Sequence, residues 1–152
     1  MKILLAIDGS KCSEAAVDAL LSQYRAEGAD VLILNVVESV KLMPATYGFG
    51  MGPVFADQYA TIAQQWRSEG EALVSRMAQR LQTAGFKTST SVQEGDARDL
   101  ILECAEKWSP DLILLGSHGW KGLDRWLLGS VSEAIARHAK CSVEIVRTRA
   151  AA

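Results

Sequence analysis

Short, nearly continuous apolar runs alternate along the chain with longer stretches in which apolar residues recur every three or four positions. The runs are Ile3–Ile7, Val31–Val37, Leu112–Leu115 and Val143–Val146. Bounded by turn residues, they predict strands covered on both faces, as in a parallel sheet. Lys87–Gln93, rich in Thr and Ser, predicts a weaker strand at a sheet edge. The periodic stretches predict helices. Val17, Leu20, Leu21 and Tyr24 share one face, and Tyr59, Ile62, Ala63, Trp66, Leu73, Met77 and Leu81 mark a longer helix that Gly70 weakens. Leu100, Ile101, Cys104 and Ala105 follow Asp96, a good amino-terminal cap, and Val131, Ala134, Ile135 and Ala139 follow Ser130. Strand and helix thus alternate to a fifth strand. That order predicts one α/β domain over residues 1–152, a parallel doubly wound sheet with helices on both faces and right-handed crossovers.

Glu38–Phe55 breaks the alternation. Its glycines, Gly48, Gly50 and Gly52, begin about ten residues past a strand end and run into Pro53, a poor match to a strand-turn-helix phosphate loop. The segment reads better as a surface loop or lid.

Composition narrows the class. With 152 residues, 49% of them apolar and 22% charged, the chain suits a single globular domain. A net charge of −2 argues against partners held by clustered Lys and Arg, so neither nucleic acid nor an anionic membrane is expected. The amino-terminal apolar run is too short for a secretory core, and no run is long enough to cross a bilayer. Cys12, Cys104 and Cys141 are odd in number and form no C-x-x-C pair, which suits free thiols in a reducing compartment. The expected location is the cytoplasm.

The chemistry concentrates where a buried strand ends at Gly116 and a helix opens at Ser130. Gly116, Gly119, Gly129 and Ser130 fall as G-x2-G-x9-G-S. Without a Cβ, Gly116 and Gly119 permit unusual dihedrals and close approach of backbone to a ligand. Gly129 and Ser130 sit at a helix amino terminus, where unpaired N–H groups and the dipole favour an anion. The hydroxyls of Ser117, Ser130 and Ser132 offer further donors, and Lys121 and Arg125 offset charge. The arrangement reads as a phosphate site. A plainer reading stands beside it: glycine after a strand is common turn chemistry, and Ser130-x-x-Glu133 is a capping box that needs no ligand.

Leu112–Val131 resembles the nucleotide-binding branch of the universal stress protein family, whose signature is G-x2-G-x9-G-(S/T). The likeness runs over almost the whole chain: Asp8-Gly9-Ser10 looks like the family's first turn, Asn35-Val36-Val37-Glu38 like the end of its second strand, and Gly95 fits after the third. The resemblance implies strand order 3-2-1-4-5, which places the ends of strands one and four together where the winding reverses, the expected ligand crevice. It further implies that Asp8 faces a ribose and that the neighbourhood of Ala6, Ile7, Val36 and Val37 holds an adenine. Gly116, Gly119, Gly129, Ser130 and Val131 would then cradle phosphates. The implied ligand is ATP, with AMP or ADP as alternatives, and Mg2+ or Mn2+ would ride with the phosphates. A homodimer through the final strand is also implied, although Glu144 in Cys141–Val146 puts a charge on that edge and discourages pairing.

Other chemistries fit less well. A phosphoacceptor receiver would want a second acid beside Asp8, where Ile7 stands; a Walker loop and a G-x-G-x-x-G turn are absent. His118 has no nucleophile or orienting acid placed beside it by the sequence, so no catalytic residue is assigned. Cys12 near a helix start reads as a small packing residue before a redox sensor. Trp120, Gly122 and Trp126 suit a lid, a protein contact or packing. Three functions stay open: a nucleotide-controlled stress or signalling module, a slow ATP hydrolase or adenylate-transferring enzyme, and a nucleotide-independent interaction module.

Overall fold

A computed structural model describes residues 1–38, 53–119 and 128–148, with the backbone alone for 53–59. Strand and helix alternate through β1 (Lys2–Ile7), α1 (Lys11–Gln23), β2 (Asp30–Val37), α2 (Pro53–Thr83), β3 (Lys87–Glu94), α3 (Ala97–Trp108), β4 (Leu112–Gly116), α4 (Ser130–His138) and β5 (Ser142–Val146). The five strands are parallel, in the order β3-β2-β1-β4-β5.

Alternating side chains of the central strands feed two cores. Ile3, Leu5, Ile7, Val31 and Ile33 pack beneath α1 and α2, with Val17, Leu20, Val74, Met77 and Leu81. Leu4, Ala6, Leu34, Ile113 and Leu115 face α3 and α4, with Ile101, Cys104 and Ile135. Both faces of β1 and β4 are therefore dry, which is why their sequences run apolar without a break. β3 lies at an edge, as its Ser and Thr content predicts.

Strand lengths decide where the sheet opens. β1 ends at Ile7, opposite Asn35, whereas β2 continues beside β3 until Val37 meets Glu94. On its other side β1 pairs as far as Ala6 and Leu115, and β4 runs on with β5 to Gly116 and Val146. The central strand thus ends level with β4 but two residues short of β2, and leaves a notch at the carboxyl-terminal end.

Two boundaries and one cap differ from the sequence reading. Pro53–Phe55, placed there in an irregular segment, already belongs to α2; proline suits a first helical turn, where its missing N–H costs nothing. Residues 39–52, the rest of that segment, lie outside the described residues. Tyr24 caps the carboxyl end of α1. At α4 the cap is Gly129, so Ser130 is the first helical residue and its hydroxyl makes no cap bond. The capping box drawn from Ser130 and Glu133 does not form.

Candidate functional site

The notch at the strand ends opens into a cavity of about 980 Å3, at the upper end of the usual range for small-molecule sites, ~300–1,000 Å3. Its two walls come from opposite faces of the sheet. Ala6, Leu34, Val36, Ile101, Leu115 and Val131 form an apolar wall on the α3–α4 side. Ile7, Asn35 and Val37, with the α2 stripe Trp66, Glu69, Gly70, Leu73 and Arg76, form the other. Asp8, Gly116, Gly119, Gly129, Ser130 and Ser132 lie at the mouth between them. Ser117 is buried just beneath it.

The turn after β1 is built by its own side chains. Gly9 adopts φ 79°, a conformation that suits glycine. The Ser10 N–H donates to Asp8 Oδ1 at 2.9 Å, and Ser10 Oγ accepts from Ser13 N to cap α1. Ser10 Oγ also donates to the His118 carbonyl at 3.3 Å, tying this turn to the loop after β4. Gly119 is the second tie, because a Cβ there would lie 2.7 Å from Asp8 Oδ2.

Ser117 is the hub of the β4–α4 connection. Its N–H donates to the Val146 carbonyl, while its own carbonyl accepts from Gly129 N–H at 2.8 Å and from Ser132 Oγ at 2.9 Å. Ser117 Oγ sits 3.1 Å from His118 Nδ1 and 3.8 Å from Cys12 Sγ. These bonds correct the role given to two hydroxyls. Ser117 and Ser132 are both 2% exposed, and their O–H groups are engaged within the loop rather than offered to a ligand. Ser130, by contrast, is exposed.

The glycines are also explained differently. None of Gly116, Gly119 and Gly129 takes a positive φ, so unusual dihedrals are not their purpose. Close packing is. A Cβ on Gly116 would meet the Cys12 carbonyl carbon at 2.6 Å, and one on Gly129 would meet the Ser117 carbonyl oxygen at 3.1 Å. Cys12 accordingly acts as the surface against which β4 packs. His118 lines the cavity, and its Nε2 is buried without a hydrogen-bond partner among the described residues.

The helix amino termini separate into two kinds. Ser10 caps α1 and Asp96 caps α3, each through a side-chain oxygen. Gly129 caps α4 with no side chain, and among the described residues the first-turn N–H groups of Ser130, Val131 and Ser132 have no acceptor. Charged side chains do not supply the compensation: Asp8, Glu38 and Glu69 line the cavity against Arg76 alone among the described cations. Lys121 and Arg125, with Trp120, Gly122 and Trp126, lie outside the described residues. Among the described residues no cluster of His, Cys, Asp and Glu could hold a metal.

Shifted titrations lie away from the cavity. Tyr24 is pushed up to about 12 by its hydrogen bond to Glu144. Arg98 holds Asp96 down at about 2, and burial raises the thiols of Cys104 and Cys141. The sequence reading missed the α2 wall entirely. Gly70, a helix breaker inside an apolar stripe, was the one signal that this helix approaches something closely.

The profile of the Universal stress protein family matches residues 1–147. Universal stress protein YxiE of Bacillus subtilis is 32% identical over 148 residues, covering 96% of this chain and 98% of its own. Among solved structures, universal stress protein UspA from Lactobacillus plantarum superposes with a TM-score of 0.82 at 21% identity, over 97% of each chain. A family member from Arabidopsis thaliana solved with AMP bound gives 0.66 at 18% identity, over 99% of this chain and 93% of that one. A universal stress protein solved in complex with cAMP gives 0.63 at 23%, over 96% and 95%.

Proposed function

The chain belongs to the universal stress protein family, and from that premise we propose that it binds an adenine nucleotide, ATP first, in the cavity at the end of β1. The observation that carries this reading is the uncapped α4 terminus opening beside an apolar slot. Three N–H groups without an acceptor among the described residues, with a helix dipole behind them, suit an oligophosphate. Ala6, Ile7, Val36 and Val37, with Leu115 and Val131, suit a flat heterocycle, and Asp8 at the mouth suits ribose hydroxyls. That relatives of this fold were solved with AMP and cAMP supports the base and sugar end. Mg2+ or Mn2+ would be held chiefly by phosphate oxygens and would neutralise their charge where the described side chains supply little.

The protein acts, in this reading, as a cytoplasmic stress or signalling module whose occupancy is read by a homodimer formed along β5. Glu144 does not oppose such pairing as its bare charge suggests. Its carboxylate accepts from the Tyr24 hydroxyl and is drawn toward α1.

Mass spectrometry of nucleotide released from freshly purified, heat-denatured protein identifies the ligand, and titration with Mg-ATP measures it. Absence of binding up to millimolar ATP would sink the proposal. Sedimentation with and without ATP tests the dimer.

A further inference from the structure

Asn35 is a polar residue in an apolar place. It is 6% exposed, lies on β2 beneath α2, and stands opposite Ile7, the last residue of β1. Its Nδ2 donates to the Ile7 carbonyl at 2.8 Å. A buried amide costs stability unless it is bonded, and an aliphatic side chain would fill such a site at less risk. What the amide adds is direction. The Ile7 carbonyl and the Asp8 nitrogen belong to one planar peptide, so holding that oxygen fixes the plane from which Asp8 departs.

Gly70 completes the arrangement from α2. A Cβ built there would lie 2.5 Å from Asn35 Oδ1, 3.1 Å from Val92 Cγ1 and 3.4 Å from Val37 Cγ2. The helix backbone thus rests directly on the amide. A glycine inside a helix costs roughly 1 kcal/mol against alanine, so its place here works against local preference. The result is a chain of contacts from α2 through Asn35 and Ile7 to Asp8.

We propose that Asn35 and Gly70 form a positioning pair, through which the seating of α2 on β2 sets the orientation of Asp8 at the mouth of the crevice. Both residues lie in the cavity wall, and the pair acts through the end of β1: Gly70 makes room for the amide, and the amide holds the Ile7 carbonyl. The effect on affinity rests on the nucleotide reading above; the effect on Asp8 does not.

The test uses the full chain with Asn35→Asp, which keeps the shape but removes the donor, Asn35→Ala, Gly70→Ala and the Asn35→Ala/Gly70→Ala double variant. In nucleotide-free protein, Asn35→Asp and Gly70→Ala are expected to shift the Asp8 and Gly9 backbone amide resonances, while those of Asp111 and Leu112 at the opposite end of the sheet stay in place. Mg-ATP affinity should fall about tenfold in each folded single variant, a loss of ~1.4 kcal/mol. In the double variant, where the amide no longer obstructs the new methyl, it should fall no further than in Asn35→Ala alone. Unmoved Asp8 and Gly9 resonances, or fold-losses that multiply in the double variant, would overturn the pair. Should Asn35→Asp fail to fold, Asn35→Ala serves for the resonance comparison. If wild type binds no ATP but the resonances move as expected, the nucleotide reading fails and the positioning role stands.

Discussion

At the amino-terminal end of the sheet the strand starts are bound to one another and to the neighbouring loops, whereas at the carboxyl-terminal end the central strand stops short of β2. Met1 N donates to Gly28 O, Asp30 N to Met1 O, Lys2 N to Asp111 Oδ2, and Asp111 N to Lys2 O. The Lys2 ammonium lies over the Trp108 ring, 4.7 Å from its centroid, and also donates to the Trp108 carbonyl. The opposite end uses glycines and short polar side chains, and its bonds shape loops around a space instead of closing it. Under the proposed function one end serves cohesion and the other a ligand; the same strands carry both, but through different residues.

That division can be broken at single positions. The largest effect is expected at the open end, where Gly129→Val should weaken Mg-ATP binding by at least ~100-fold, about 2.7 kcal/mol, with the circular dichroism spectrum retained. Calorimetric titration showing wild-type affinity would contradict the site. Gly116→Ala should act on stability instead. Its new Cβ meets Cys12 backbone, which cannot swing aside, so overpacking is expected to cost roughly 1–3 kcal/mol in urea unfolding. Gly119→Ala should cost less, because the atom it meets is the tip of the Asp8 side chain.

At the closed end the contrast sharpens. Asp111→Ala removes the acceptor of Lys2 N and is expected to cost about 1 kcal/mol of stability with unchanged nucleotide affinity. A change in affinity would show that the ends are coupled. The smallest effect concerns pH. The Tyr24 phenol is raised from 10.0 to about 12 by donating to Glu144, so its contribution is present below pH 10 and is lost as pH rises toward 12. Tyr24→Phe should flatten that alkaline limb in a melting series, by no more than about 1 kcal/mol because solvent screens the half-buried pair.

Much of this was legible before any coordinates. β1, β2 and β4 announce themselves because burial on two faces leaves no polar register to confuse the pattern. Gly116, Gly119, Gly129 and Ser130 mark the candidate site by their spacing together with the family resemblance. What the spacing could not tell is which atoms each glycine avoids: Cys12, Asp8 and Ser117 are brought there by topology. Nor could it tell where the Ser132 hydroxyl points. Moving the cap by one residue, from Ser130 to Gly129, changes which side chain faces Ser117 and which faces out. The α2 wall was invisible for the same reason, since Asn35 and Gly70 meet only after the crossover is folded.

Among the described residues, Gly70 also marks where α2 loses its support from the sheet. It already sits over Val37, the last residue of β2, yet the helix extends back to Pro53. Pro53–Glu69 is about 25 Å of rod at ~1.5 Å per residue. From Ala60 to Glu69 nearly every side chain is exposed, Ile62 and Trp66 among them. Here the rod is held by its own rungs, Gln65 to Glu69 and Arg67 to Glu71, each worth only ~0.2–0.5 kcal/mol. Amide deuteration should therefore divide a single continuous helix into two regimes, slow where Val74, Met77 and Leu81 are clamped in the core and fast on the far side of the glycine.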